Sequence, residues 1–193
     1  MTELTPAVLN TLRGFLHAVP GESAEEAVAR YDLFFRAAYD SGINIPESFH
    51  TTTGRAQGLE DAEGRLGMTC PAPLRRFLET CGVRHSDVGP TICPPQRWQG
   101  FFAAVEEIWG GREDLLQELG AQEVQRLNRE FVLFGMRFID DNVHVYYAFD
   151  RLGLCYRILF DQDSIGEENI LELLGNEAFP FDYIISREID DSL

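Results

Sequence analysis

Lysine is absent from this chain: 16 basic residues stand against 32 acidic ones, every basic residue is an arginine, and the formal net charge is −16. Without lysine there is no Schiff-base amine and no phosphate-gripping lysine of a Walker A loop, and arginine replaces neither chemistry. Nucleic acid is a polyanion held by clustered basic side chains, so a chain of this charge is expected to repel it and to attract a basic partner. Cysteines are few: Cys70, Cys81, Cys93 and Cys155 contain no Cys-x-x-Cys pair. Reduced thiols are the expectation. Long apolar runs are missing too, since those at 131–134 and 145–149 fall far short of the roughly 20 residues that cross a bilayer. Glu3 precedes the first apolar stretch, with no basic leader before it. Neither a secretory signal nor a membrane partner is expected, and the expected address is the cytoplasm.

What is present suffices for a folded core, because 45% of the residues are hydrophobic. Val8, Leu9, Leu12, Phe15, Leu16 and Val19 make one apolar helical stripe, which predicts a helix over 6–19 with Thr5 as cap and Pro6 in its first turn. Ser23 and Glu26 have capping-box spacing, and the helix they open presents Ala27, Val28, Tyr31, Phe34, Phe35, Ala38 and Tyr39 on one side before Gly42. These helices form a hairpin extension over 1–55. A connector over 43–58, marked by Pro46 and Gly54, leads into a second unit over 56–193. The aromatic face of the hairpin is expected to pack on the rest of the protein, or else to serve as a docking surface.

Within 56–193 the pattern predicts a helix at 59–66 before Gly67, another from Pro73 to Gly82, a loop, and helices over 96–109 and 113–128. Three segments at 131–139, 143–149 and 154–160 are rich in aromatic and branched residues, and turn residues at 140–142 and 150–153 divide them. They predict an antiparallel meander. A last helix is expected at 166–174 and an edge strand at 181–185. The fold class is therefore α+β, with N-terminal helices, a central antiparallel sheet and a C-terminal helix.

No convergent catalytic set stands out. His17, His50, His85 and His144 are scattered, and no nucleophile elbow or glycine-rich phosphate loop is present. Cys81, His85 and Cys93 lack the spacing and fourth ligand of a zinc site, so neither metal nor cofactor is expected. Asp140-Asp141 and Asp161-Gln162-Asp163 fit turn chemistry better than calcium ligation. Acidity is uneven: residues 138–193 hold 13 acidic and 3 basic side chains. Asp140, Asp141, Asp150, Asp161 and Asp163 fall at strand ends and are the candidate partner-binding residues. Trp109, beside Gly110-Gly111, is the candidate aromatic anchor.

Residues 63–82 carry Glu63, Leu66-Gly67, Pro71, Leu74, Phe77-Leu78 and Gly82 in that order. This series resembles the opening signature of the SUKH superfamily, and Phe149-Asp150-Arg151-Leu152-Gly153 looks like the aspartate and glycine of a hairpin turn in that family's strand region. Cys70 and Cys81 depart from the usual residues, and 1–55 lie outside the pattern. The resemblance implies an α+β fold and a binding role without catalysis. Many bacterial members are immunity proteins that neutralise a toxin, often a nuclease or deaminase; eukaryotic relatives, yeast cell-wall synthesis regulators among them, are regulatory scaffolds. The expectation is an immunity protein whose acidic surface meets a basic, nuclease-type toxin, with a regulatory adaptor docking through its N-terminal helices as the alternative.

Overall fold

The computed structural model of the chain describes residues 5–46, 49, 51–108, 120–141, 143–161 and 178–193. Helix α1 (Pro6–Arg13) begins where the Thr5 hydroxyl accepts the Val8 amide at 3.4 Å, and it stops at Gly14, short of the expected residue 19. His17 consequently sits exposed in a turn rather than on a helix. Glycine is a poor helix former, and it outweighs the apolar spacing of Phe15 and Leu16. Helix α2 (Ala24–Asp40) has the predicted capping box: Ser23 Oγ accepts the Glu26 amide, and the Glu26 carboxylate accepts the Ser23 amide at 2.8 Å.

Strand β1 (Thr52–Gly54) lies in the expected connector, followed by helices α3 (Leu59–Leu66) and α4 (Ala72–Thr80). The stretch read as loop holds two very short strands, β2 (Val83–His85) and β3 (Thr91–Ile92), and the start of the helix expected at 96–109 holds a third, β4 (Gln99–Gly100), each too brief to show a two-residue period. Helix α5 (Phe101–Ile108) starts at 101 rather than 96. Trp98 precedes it, buried, with its indole N–H donated to the Cys93 carbonyl at 3.0 Å. Next come α6 (Ala121–Glu130), β5 (Phe131–Phe138), β6 (Val143–Asp150), β7 (Cys155–Asp161), β8 (Ala178–Phe179) and α7 (Phe181–Asp190). The helix expected at 166–174 and the first part of the one expected at 113–128 lie outside the described residues.

The edge strand expected at 181–185 is corrected: those residues open α7, and the edge pairing belongs to β8. Phe181, Ile184, Ile185 and Ile189 follow helical spacing on the buried side. Ser186 and Glu188 on that same side are polar yet buried, and they hid the helical period from a hydropathy reading.

Among the described residues eight strands form one antiparallel sheet, in the order β1-β2-β3-β5-β6-β7-β8, with β4 also paired to β5. The meander of β5, β6 and β7 is the predicted one. Helices cover both faces. On one, Tyr31 of α2, Leu74 and Phe77 of α4, and Ile184 and Ile185 of α7 pack on Phe134, Tyr147 and Phe149. On the other, Phe101 and Val105 of α5 and Leu127 of α6 pack on Leu133, Tyr146 and Ala148. Burial from both sides explains why β5 and β6 read as nearly continuous apolar runs instead of alternating ones. A register shift between Leu133 and Gly135 marks a bulge in β5, after which Met136 takes the α5 side and Arg137 the α7 side.

The apolar face of α2 packs as expected, with Ala24, Ala27, Val28 and Tyr31 inside the main core and α7 against the helix. Tyr39 is the exception, 71% exposed. The glutamate-to-glycine series at 63–82 is architectural. One Glu63 carboxylate oxygen accepts both the Cys70 amide and Arg75 Nη2 at 2.6 Å, which ties the α3–α4 turn together. Leu74, Phe77 and Leu78 are buried. At Gly82, where φ is +75°, a Cβ would stand 2.1 Å from the Gly54 carbonyl oxygen, so glycine is required for β1 to reach β2. Among the described residues no helix is long and apolar enough to cross a membrane.

Candidate functional site: the acidic end of the sheet

Turn chemistry builds the β5–β6 connection. Asp140 Oδ1 accepts the Val143 amide at 2.9 Å, and the amides of Ile139 and Asp140 donate to the Val143 carbonyl. Asp141 follows at the tip, exposed. The strand register then brings a third candidate to the same place, because Val143 pairs with Asp161, the last residue of β7. Asp140, Asp141 and Asp161 therefore share one end of the sheet. Asp163 and Trp109 lie outside the described residues.

Asp150 stands apart from that group. It ends β6 at the opposite end of the β5–β6–β7 meander, and its carboxylate is occupied: Oδ1 accepts the amides of Leu152 and Leu154 at 2.9 Å, and Oδ2 accepts the Tyr156 hydroxyl at 2.9 Å. This is the aspartate of a tight hairpin turn, both of whose carboxylate oxygens accept hydrogen bonds within the hairpin. Burial pushes the Tyr156 phenol up to about 12, and its bond to Asp150 and the charge of that carboxylate push the same way.

The remaining described acids of the C-terminal third are paired with arginines, Glu188 in the interior and Asp182, Asp190 and Asp191 at the surface. Glu188, fully buried on α7, receives Arg137 from β5 at 2.6 Å and Arg157 from β7. Asp190 receives Arg30 at 2.7 Å, Asp182 receives Arg76 at 3.3 Å, and Asp191 lies near both Arg137 and Arg157. The count of negative charge over 138–193 therefore overstates the acidity offered to a partner, because α7 uses its carboxylates as ties to α2, α4 and the sheet.

Sequence reading missed the apolar part of the sheet end. Phe138 is 40% exposed, Ile139 47% and Leu159 49%, large side chains near that end of the sheet, with Phe138 on the α5 face opposite His144 and Leu159 on the α7 face opposite Val145. Their signal was present but ambiguous, since an apolar residue at the end of a strand cannot be assigned to core or surface before the covering helices are known. Phe138 lies edge-on to His144 with ring centroids 4.4 Å apart. His144 is buried, and its Nδ1 is 3.1 Å from the Tyr146 hydroxyl. Burial lowers its pKa from the usual 6.5, against the opposing pull of Asp140. A neutral imidazole thus backs the turn at neutral pH.

The other titratable groups do not converge here. His85 is exposed on β2, 3.5 Å from Asp87, and His50 lies outside the described residues. Burial pushes the thiols of Cys70 and Cys155 up to about 12 and that of Cys93 to about 11. Among the described residues no three histidine, cysteine, aspartate or glutamate side chains are placed to hold a metal ion. Cys81, His85 and Cys93 are therefore not brought together. What this end of the sheet offers is the exposed turn of Asp140 and Asp141, with one exposed apolar side chain on each face of the sheet, Phe138 and Leu159. Comparison of the chain with protein-family models, with curated proteins and with solved structures gives no match.

Proposed function

We propose that this chain is a non-catalytic binding protein of the cytoplasm, an immunity protein of the SUKH type, that neutralises a basic, nuclease-type toxin by covering its nucleic-acid-binding surface. The observation that supports this reading is the meeting of Asp140, Asp141 and Asp161 at one sheet end, with exposed Phe138 on one face of the sheet there and exposed Leu159 on the other. Carboxylates would steer and orient a basic partner, and the apolar side chains would supply the desolvated contact that charge alone does not. Asp163 follows β7 by two residues in the sequence and is included in the test on that ground alone, and Asp150 is not. The regulatory adaptor docking through its N-terminal helices is not favoured, because the apolar face of α2 is taken up by α4, α7 and the sheet.

The test is binding to nuclease-type toxin domains with a basic nucleic-acid-binding face, read by calorimetry and by survival of cells that coexpress the pair. Replacing Asp140, Asp141, Asp161 and Asp163 together by asparagine should weaken the complex by about 100-fold, the scale of a few close interfacial charge pairs. Phe138→Ser with Leu159→Ser should raise the dissociation rate. Unchanged affinity in the aspartate variant, with the fold intact by circular dichroism, would sink the reading.

A further inference from the structure

We draw no further inference here: the strongest candidate, the surface patch of exposed Leu152 and Leu154 on the β6–β7 turn beside Arg126 and Arg129 at the end of α6, carries nothing, because Glu130 already pairs with both arginines and nothing in the structure shows what covers the leucines.

Discussion

Glu188 has no exposed surface and two guanidiniums, those of Arg137 and Arg157, directed at it. Removing its charge while leaving the arginines buried should cost about 3–5 kcal/mol, because desolvated cations would lose their counter-ion; urea denaturation of Glu188→Gln measures this. Asp150→Ala should cost about 1–3 kcal/mol by orphaning the Leu152 and Leu154 amides and the Tyr156 hydroxyl. It should leave partner affinity unchanged, and that contrast with Asp140 and Asp141 separates turn-builders from binding residues. Acid titration should show two stages. His144 has its pKa lowered by burial, so its contribution is complete above the usual 6.5 and drains away as pH falls below it. Burial pushes Glu22 up, but hydrogen bonds from Arg30 and Ser186 outweigh it and hold the carboxyl below its usual 4.5; Glu63 is held down likewise by the Cys70 amide and Arg75. That stabilisation is full above 4.5 and is lost as pH drops through the lowered values. Thermal midpoints measured from pH 8 to 3 should therefore decline first below about 6.5 and again below about 4.5, with His144→Gln removing the first step.

At the scale of elements, α3 could be read from sequence to the residue, because Gly58 and Gly67 bracket one short apolar period. The three long strands were legible to within a residue at each end, their separators being turns that contain aspartate. β1 to β4 were not, since pairs such as Thr53 with Arg84 or Gln99 with Leu133 are decided by distant chain and leave no local period. α7 was misread for a different reason: Glu188 and Ser186 occupy its buried side as partners of arginine and glutamate, a role hydropathy cannot express. The candidate site divides the same way. Its turn aspartates showed in the sequence, whereas the convergence of Asp161 with Asp140 and Asp141 needed the register. Helix α2 contributes Ala24, Ala27, Val28 and Tyr31 to the main core, and β1 extends the sheet. A chain of residues 56–193 alone should accordingly lack a cooperative melting transition in calorimetry, while Ser23→Ala in the intact chain should cost only about 1 kcal/mol through the lost cap.

For the whole molecule, charge separates into two populations. Arg30, Arg75, Arg76, Arg84, Arg137 and Arg157 are engaged by carboxylates of other elements or turns, so much of the positive charge works internally while the net −16 remains for the surroundings. Association with a basic partner should therefore be fast and salt-sensitive. Stopped-flow measurements should show the association rate falling about tenfold or more between 50 and 500 mM salt, with a much smaller change in dissociation. A rate indifferent to salt would show that the surface carboxylates do not guide the encounter.

The packing of α2 against α7 joins segments made far apart in time. A ribosome adding roughly 5–20 residues per second needs on the order of ten seconds between them. Throughout that interval Tyr31 and its neighbours wait without the helix that will cover them, so the nascent polypeptide depends on chaperones or on provisional contacts until Ile184, Ile185 and Glu188 leave the exit tunnel.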